Sequence, residues 1–338
     1  MRGFWTNDER GRLKRREFIA LIGATTVWPF VTRAQQPAMP VIGFLSSASQ
    51  AASTHGIDGF REGLKEVGFI EGKNVSIEYR WAEGRYDLLA DLAADLVSRH
   101  VAVIFAVGGS EPARVAKAAT TTIPIVFVSA ADPIKTGLVA SLNRPEGNVT
   151  GVSLIASALE AKRLELLHEL STQASAVGAL INPNYPMATS QMREIPEAAA
   201  ALGLTIILLT ASTEQEIDAA FSMLVQTRAG ALLVCNDPFF GTQSRKLVTL
   251  AHQYAIPTMY FRREFVEEGG LISYGPLVAD GYHKAGVYTG KILTGVRTTD
   301  LPIIQPTKFE LLINLKTARA LNLAVPPTLL AVADEVIE

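Results

Sequence analysis

Cysteine is almost missing: Cys235 is the only one in 338 residues. A lone thiol excludes an intramolecular disulfide framework, and in an oxidising compartment it is best kept buried. An excess of one charge is missing as well. The chain sets 31 Lys and Arg against 33 Asp and Glu, a formal net charge of -2, which argues against a dedicated nucleic-acid binder. No apolar run approaches the roughly 20 residues that span a bilayer. Several chemistries lack their signatures. Gly290-Lys291 is followed by Ile292, so there is no P-loop, and no G-x-G-x-x-G follows the first strand. Gly108-Gly109-Ser110-Glu111-Pro112 approaches a nucleophile elbow but ends in Pro. His55, His100, His168, His252 and His283 lack a second ligand at metal spacing. Neither catalytic residues, nor a metal, nor a cofactor is expected. What is present, at 48% hydrophobic residues, is enough apolar material for a folded core. The length suits two ordinary domains or one large α/β unit.

Charge is uneven along the chain. Residues 1–34 carry Arg2, Arg10, Arg12, Lys14, Arg15, Arg16 and Arg33 against Asp8, Glu9 and Glu17. Arg15-Arg16 precede an apolar stretch over 18–31 of signal-peptide length, and Thr32-Arg33-Ala34 offers small residues where a signal peptidase cuts. The arginine pair resembles a twin-arginine export signal. A buried helix with a basic start is the alternative, but polar Gln35-Gln36-Pro37 separates this stretch from the first strand. Residues 1–34 are therefore expected to be an export signal, and residues 1–13 exceed what one needs. The remainder is expected in the periplasm.

Beyond residue 40 strand and helix patterns alternate. Strands are expected over 41–45, 75–79, 101–107, 123–128 and 149–152, with helices over 55–67 and 88–96. The pattern restarts with a helix over 159–170, strands over 176–181, 205–209 and 231–234, and helices over 190–201, 214–227 and 245–254. Two such runs predict two similar α/β lobes, each a mostly parallel sheet flanked by helices. The tail holds strand-like pieces over 257–261, 270–274 and 303–315 around a helix over 279–293. It is read as the chain returning to lobe one and crossing back. Lobe one then comprises 38–155 plus 258–298, and lobe two 156–257 plus 299–338.

Open α/β sheets bind ligands beyond the carboxyl ends of their strands. In lobe one those ends carry Ser46-Ser47, Gly109-Ser110 and Ser129 to Asp132; each precedes a helix, whose free N–H groups favour an anion. N-capping alone would also explain Ser47, Ser110 and Asp132. In lobe two they carry Asn182, Asn184 and Tyr185, then Asn236, Asp237 and Phe239. Asn supplies donor and acceptor, Asp237 a place for an ammonium group, and the rings flat apolar walls. Aromatics are only 7% of the chain, so their clustering at polar strand ends is informative. Tyr260 and Tyr274, near the crossings, complete the ligand-binding set, with Trp81 a weaker candidate.

Three segments carry a family resemblance. They are Leu138-Val-Ala-Ser-Leu-Asn-Arg-Pro-Glu-Gly-Asn-Val-Thr-Gly-Val152, Gly72-Lys-Asn-Val-Ser-Ile-Glu-Tyr-Arg-Trp-Ala-Glu-Gly84 and Ile303-Ile-Gln-Pro-Thr-Lys-Phe-Glu-Leu-Leu-Ile-Asn-Leu315. They resemble the substrate-binding proteins of ABC importers, in the group that includes receptors for tryptophan and other aromatic substrates. Glu146 departs from the pattern, where a second Gly is usual. The resemblance implies a two-lobed periplasmic-binding fold of the three-crossover type, with the strand-end loops as ligand contacts. It also implies a membrane permease with its ATPase as partner. The expected function is an exported receptor that captures a small carboxylate-bearing, aromatic or amino-acid-like solute and hands it to the permease. A sensory receptor feeding a membrane signalling partner, or a hydrolytic enzyme on the same scaffold, are the alternatives.

Overall fold

The computed structural model describes residues 39–154, 159–305 and 308–338. The expected export signal lies outside them. Among the described residues no helix is long and apolar enough to cross a membrane.

The chain begins β1 (Val41–Ser46), α1 (Thr54–Glu66), β2 (Ser76–Trp81), α2 (Leu89–Ser98), β3 (Val103–Val107), α3 (Glu111–Ala119), β4 (Ile125–Ser129) and β5 (Val149–Ser153). These strands pair in parallel in the order β2-β1-β3-β4-β5. β3 and β4 are buried throughout, as continuous apolar runs covered on both faces require. Phe44, Phe60 and Phe105 fill one side of the sheet; Leu89, Leu96 and Phe127 fill the other.

The chain then enters a second sheet. It runs α4 (Glu160–Leu170), β6 (Ala176–Ile181), α5 (Ala188–Ala201), β7 (Thr205–Thr210), α6 (Glu214–Gln226), β8 (Ala231–Val234), α7 (Pro238–Thr242), α8 (Ser244–Gln253), β9 (Thr258–Tyr260), α9 (Arg263–Glu267) and β10 (Ile272–Pro276). After α10 (Val278–Leu293) come β11 (Phe309–Asn314), α11 (Leu315–Ala320), α12 (Pro327–Val332) and β12 (Glu335–Ile337). The second sheet has the order β12-β11-β10-β9-β8-β6-β7, with β10 and β11 antiparallel.

Strand pairing corrects one expectation. Residues 258–260 and 272–276 do not return to the first lobe: β9 joins β8 and β10 joins β9. The chain crosses only after Pro276. α10 then packs on α1, where glycines let the backbones touch. A Cβ at Gly63 would overlap the carbonyl oxygen of His283, and one at Gly286 that of Phe60. The third crossing follows Ile304, which bridges to Val152 at the edge of the first sheet; Ser153 N–H donates to its carbonyl at 2.8 Å. Three connections thus join two α/β lobes.

Candidate functional site

The two switch points of the sheets face each other. In the first lobe it lies between β1 and β3. There the Ser47 hydroxyl donates to the Gly108 carbonyl, and Gly108 and Gly109 take φ of +84° and +110°. A side chain at Gly108 would put a Cβ 2.6 Å from Ser47 Oγ, so only glycine lets this loop close. α3 starts here. Ser110 makes no side-chain cap, and the N–H groups of Gly109 and Ser110 have no acceptor among the described residues. They sit at the positive end of a helix dipole.

In the second lobe the switch point lies between β6 and β8. Asn182 Nδ2 donates to Asp237 Oδ1 at 3.1 Å, and the same oxygen accepts from Phe240 N–H at 3.2 Å, capping α7. Asp237 Oδ2 accepts from the Tyr86 hydroxyl of the first lobe at 2.9 Å. Burial pushes the Asp237 carboxyl up to about 6, against the pull of these donors. Burial also raises the Tyr185 and Tyr86 hydroxyls, so both stay neutral donors. Beneath lies a buried ion pair, Glu160 with Arg163 at 3.1 Å. Glu160 Oε1 accepts from Asn236 N–H at 3.0 Å, Gln191 Nε2 donates to the Asn236 carbonyl at 3.0 Å, and Arg163 Nε donates to the Tyr274 carbonyl at 2.7 Å.

Between these floors is a cleft of about 630 Å³ counted together with the open solvent at its mouth. The first lobe lines it with Ala48, Ser53, Gly108, Gly109, Val128, Ala130 and Leu154, and α10 adds Val278 and Tyr282. The second lobe lines it with Tyr185, Asn236, Pro238, Phe261, Arg262 and Pro276. Among the described residues, Arg262 is the single charged one in the lining. Its Nη2 donates across the gap to the Ala52 carbonyl at 2.7 Å. The Asn236 side-chain amide makes no hydrogen bond among the described residues. The lining is mostly apolar with a few convergent polar groups, the usual make-up of a small-molecule site.

Of the expected ligand-binding residues, Gly109, Tyr185 and Asn236 line this cavity. The others stand behind or beside it. Ser46 and Ser129 hydroxyls accept from Ala48 and Ala131 N–H groups within their own loops. Asn182 Oδ1 accepts from the N–H of exposed Asn184 at 3.0 Å. Ser110 is buried at the α3 start. Phe239 packs on Phe240 and against Gly84 of the first lobe. Asp237 is fully buried, its oxygens taken by protein donors, so the expected ammonium contact is not available to it. Tyr260 is buried and stacked on Phe265 within the second lobe, and Tyr274 stacks on Phe309; neither lines the cavity. β9 ends at Tyr260, so the strand-end rule applied to its true end gives Phe261 and Arg262. Trp81 packs on Phe44 inside the first lobe.

Two lobes, three connections and a cavity between facing switch points define a periplasmic-binding-protein-like fold of type I. The chain belongs to the ABC transporter substrate binding protein family, whose model matches residues 39–337. It is 28% identical over 265 residues to a tyrosine-binding protein of Clostridioides difficile (strain R20291), covering 78% of this chain and 76% of that one. It resembles the structure of an ABC domain in complex with L-Trp from Streptococcus pneumonia, with 26% identity, TM-score 0.77, and 88% and 100% of the two chains covered. It also resembles the ligand-free, open structure of a substrate-binding protein with adhesive properties from Clostridium difficile. There identity is again 26%, the TM-score is 0.62, and 88% and 99% of the chains are covered.

Proposed function

We propose that this protein is an exported receptor that closes its lobes on a small solute bearing a carboxylate and a flat apolar group. It would then release the solute to a membrane permease driven by its ATPase. The observation that carries this is the interlobe cavity, lined by Arg262 from the second lobe, by Gly109 before the uncapped start of α3 in the first, and by the rings of Tyr185, Phe261 and Tyr282. A carboxylate satisfies the free N–H groups and the guanidinium; a planar group fills the space between rings. The L-Trp complex and the tyrosine-binding relative support a solute of this kind. The better fit to the ligand-bound relative than to the open one supports closure as the binding step. Micromolar capture needs about -8 kcal/mol, within reach of a few charge-assisted hydrogen bonds and one stacked ring.

Mass spectrometry of the solute released on denaturing the purified protein tests this reading. An aromatic or similar carboxylate is expected; a sugar alone contradicts it. Export rests on residues 15–34. Arg15→Lys with Arg16→Lys is expected to leave the protein inside the cell if the twin-arginine route is used, as fractionation and immunoblotting would show.

A further inference from the structure

We infer that this cavity selects aromatic or similarly flat carboxylates that lack a free amino group. The inference rests on the proposed receptor function and sharpens its substrate class. Both features that attract charge into the cavity are positive: the Arg262 guanidinium and the start of α3. Among the described residues none in the lining is acidic, and residues 155–158 and 306–307 contain neither Asp nor Glu. Four acids near the lining already have partners: Asp237, Glu160, Glu264 and Glu111, the last in the first turn of α3 and paired with Arg114. Asp237 gives its oxygens to Asn182, Phe240 N–H and the Tyr86 hydroxyl. Glu160 pairs with buried Arg163 and holds the Asn236 N–H. Glu264 lies 3.3 Å from Arg262 Nε, so its charge is set against that same guanidinium, and it lines the neighbouring cavity and not this one. An ammonium group entering the cavity would be desolvated without a counter-charge or would have to strip one of these acids of its partner. It would also sit in the field of Arg262. A bare carboxylate meets neither cost.

Calorimetric titration of the full chain, freed of bound solute, compares 3-phenylpropionate, L-phenylalanine and 3-phenyl-1-propanol. The acid is expected to bind about tenfold or more tightly than the amino acid, and the alcohol more weakly than the acid. Equal or tighter binding of L-phenylalanine overturns the selectivity while leaving the carboxylate receptor intact. Binding of the alcohol as tight as that of the acid overturns both. No binding by any of the three overturns the selectivity, and the solute found by mass spectrometry then decides the receptor function separately. Asn236→Asp places a carboxylate on the cavity wall with little change of shape. It is expected to narrow or reverse the preference between acid and amino acid; an unchanged ratio speaks against the inference.

Discussion

Burial lifts the Asp237 carboxyl to about 6, from an ordinary value of 3.8, while Asn182, Tyr86 and two backbone N–H groups pull the other way. Between these values the folded protein holds a proton that the unfolded chain has lost. This contribution to stability is fully present below about pH 4 and is lost as pH rises through about 6, on the order of 3 kcal/mol in all. Asp237→Asn keeps the shape and removes the titration. Its unfolding free energy is expected to vary less between pH 4 and 7 than that of the parent, as urea titrations at several pH values would show. Asn236 stands beside it with a free side-chain amide on the cavity wall. Asn236→Ala is expected to weaken solute binding by about 1–3 kcal/mol without moving the urea midpoint by as much. Residue types at strand ends point to Gly109, Tyr185 and Asn236, which line the cavity. They could not separate Ser46 and Ser129, whose hydroxyls close their own loops, or Ser47, whose hydroxyl donates to the Gly108 carbonyl, from groups that face a ligand. Hydrogen-bond partners sixty residues away, as for Ser47 and Gly108, leave no local pattern. Asp132 reads as a helix cap, but no helix separates β4 from β5; its Oδ1 accepts from the N–H groups of Ile134 and Lys135 within a turn.

Among the elements, the apolar runs of β1, β3, β4, β6 and β8 and the helical spacing of α1 and α6 are plain in the sequence. Each is long enough to show its period. β9 has three residues, too few for alternation to reveal which sheet it joins, and that choice is made by its partners β8 and β10. The same uncertainty displaced the expected site from Phe261 and Arg262 to Tyr260. The glycines of α10 weaken its helical pattern locally, whereas in the fold they and Gly63 of α1 are the contact. Gly63→Ala is expected to destabilise the protein by about 1–3 kcal/mol through overpacking against the His283 carbonyl, seen as a lower thermal midpoint. Ala at exposed Gly295, which takes φ of +100° and meets nothing, would cost backbone strain alone and serves as the comparison.

Among the described residues, polar contacts that cross the gap between lobes are Tyr86 to Asp237, Arg262 to the Ala52 carbonyl, and His55 with Glu267 at 3.0 Å, besides Lys308 with Asp280 at 4.0 Å near the crossings. The first is the most deeply buried and ends on a charge, so it outweighs the exposed histidine pair. Tyr86→Phe is expected to favour the open form. Solution X-ray scattering of the unliganded variant should give a larger radius of gyration than the parent, and solute affinity should fall about tenfold or more. Unchanged scattering and affinity would show that this contact does not hold the lobes together.

The return of α10 to the first lobe, and the bridge from Ile304 to Val152, bear on how the protein is made. A ribosome has emitted most of the chain before the partner of α1 exists, so the amino-terminal lobe waits with its glycine face and Tyr282 socket empty. Such a late closing of distant contacts slows folding and leaves a nascent intermediate that invites chaperone capture. Maturation is thereby tied to synthesis of the complete polypeptide, and a product truncated before residue 278 would be marked for proteolysis by its unfinished first half.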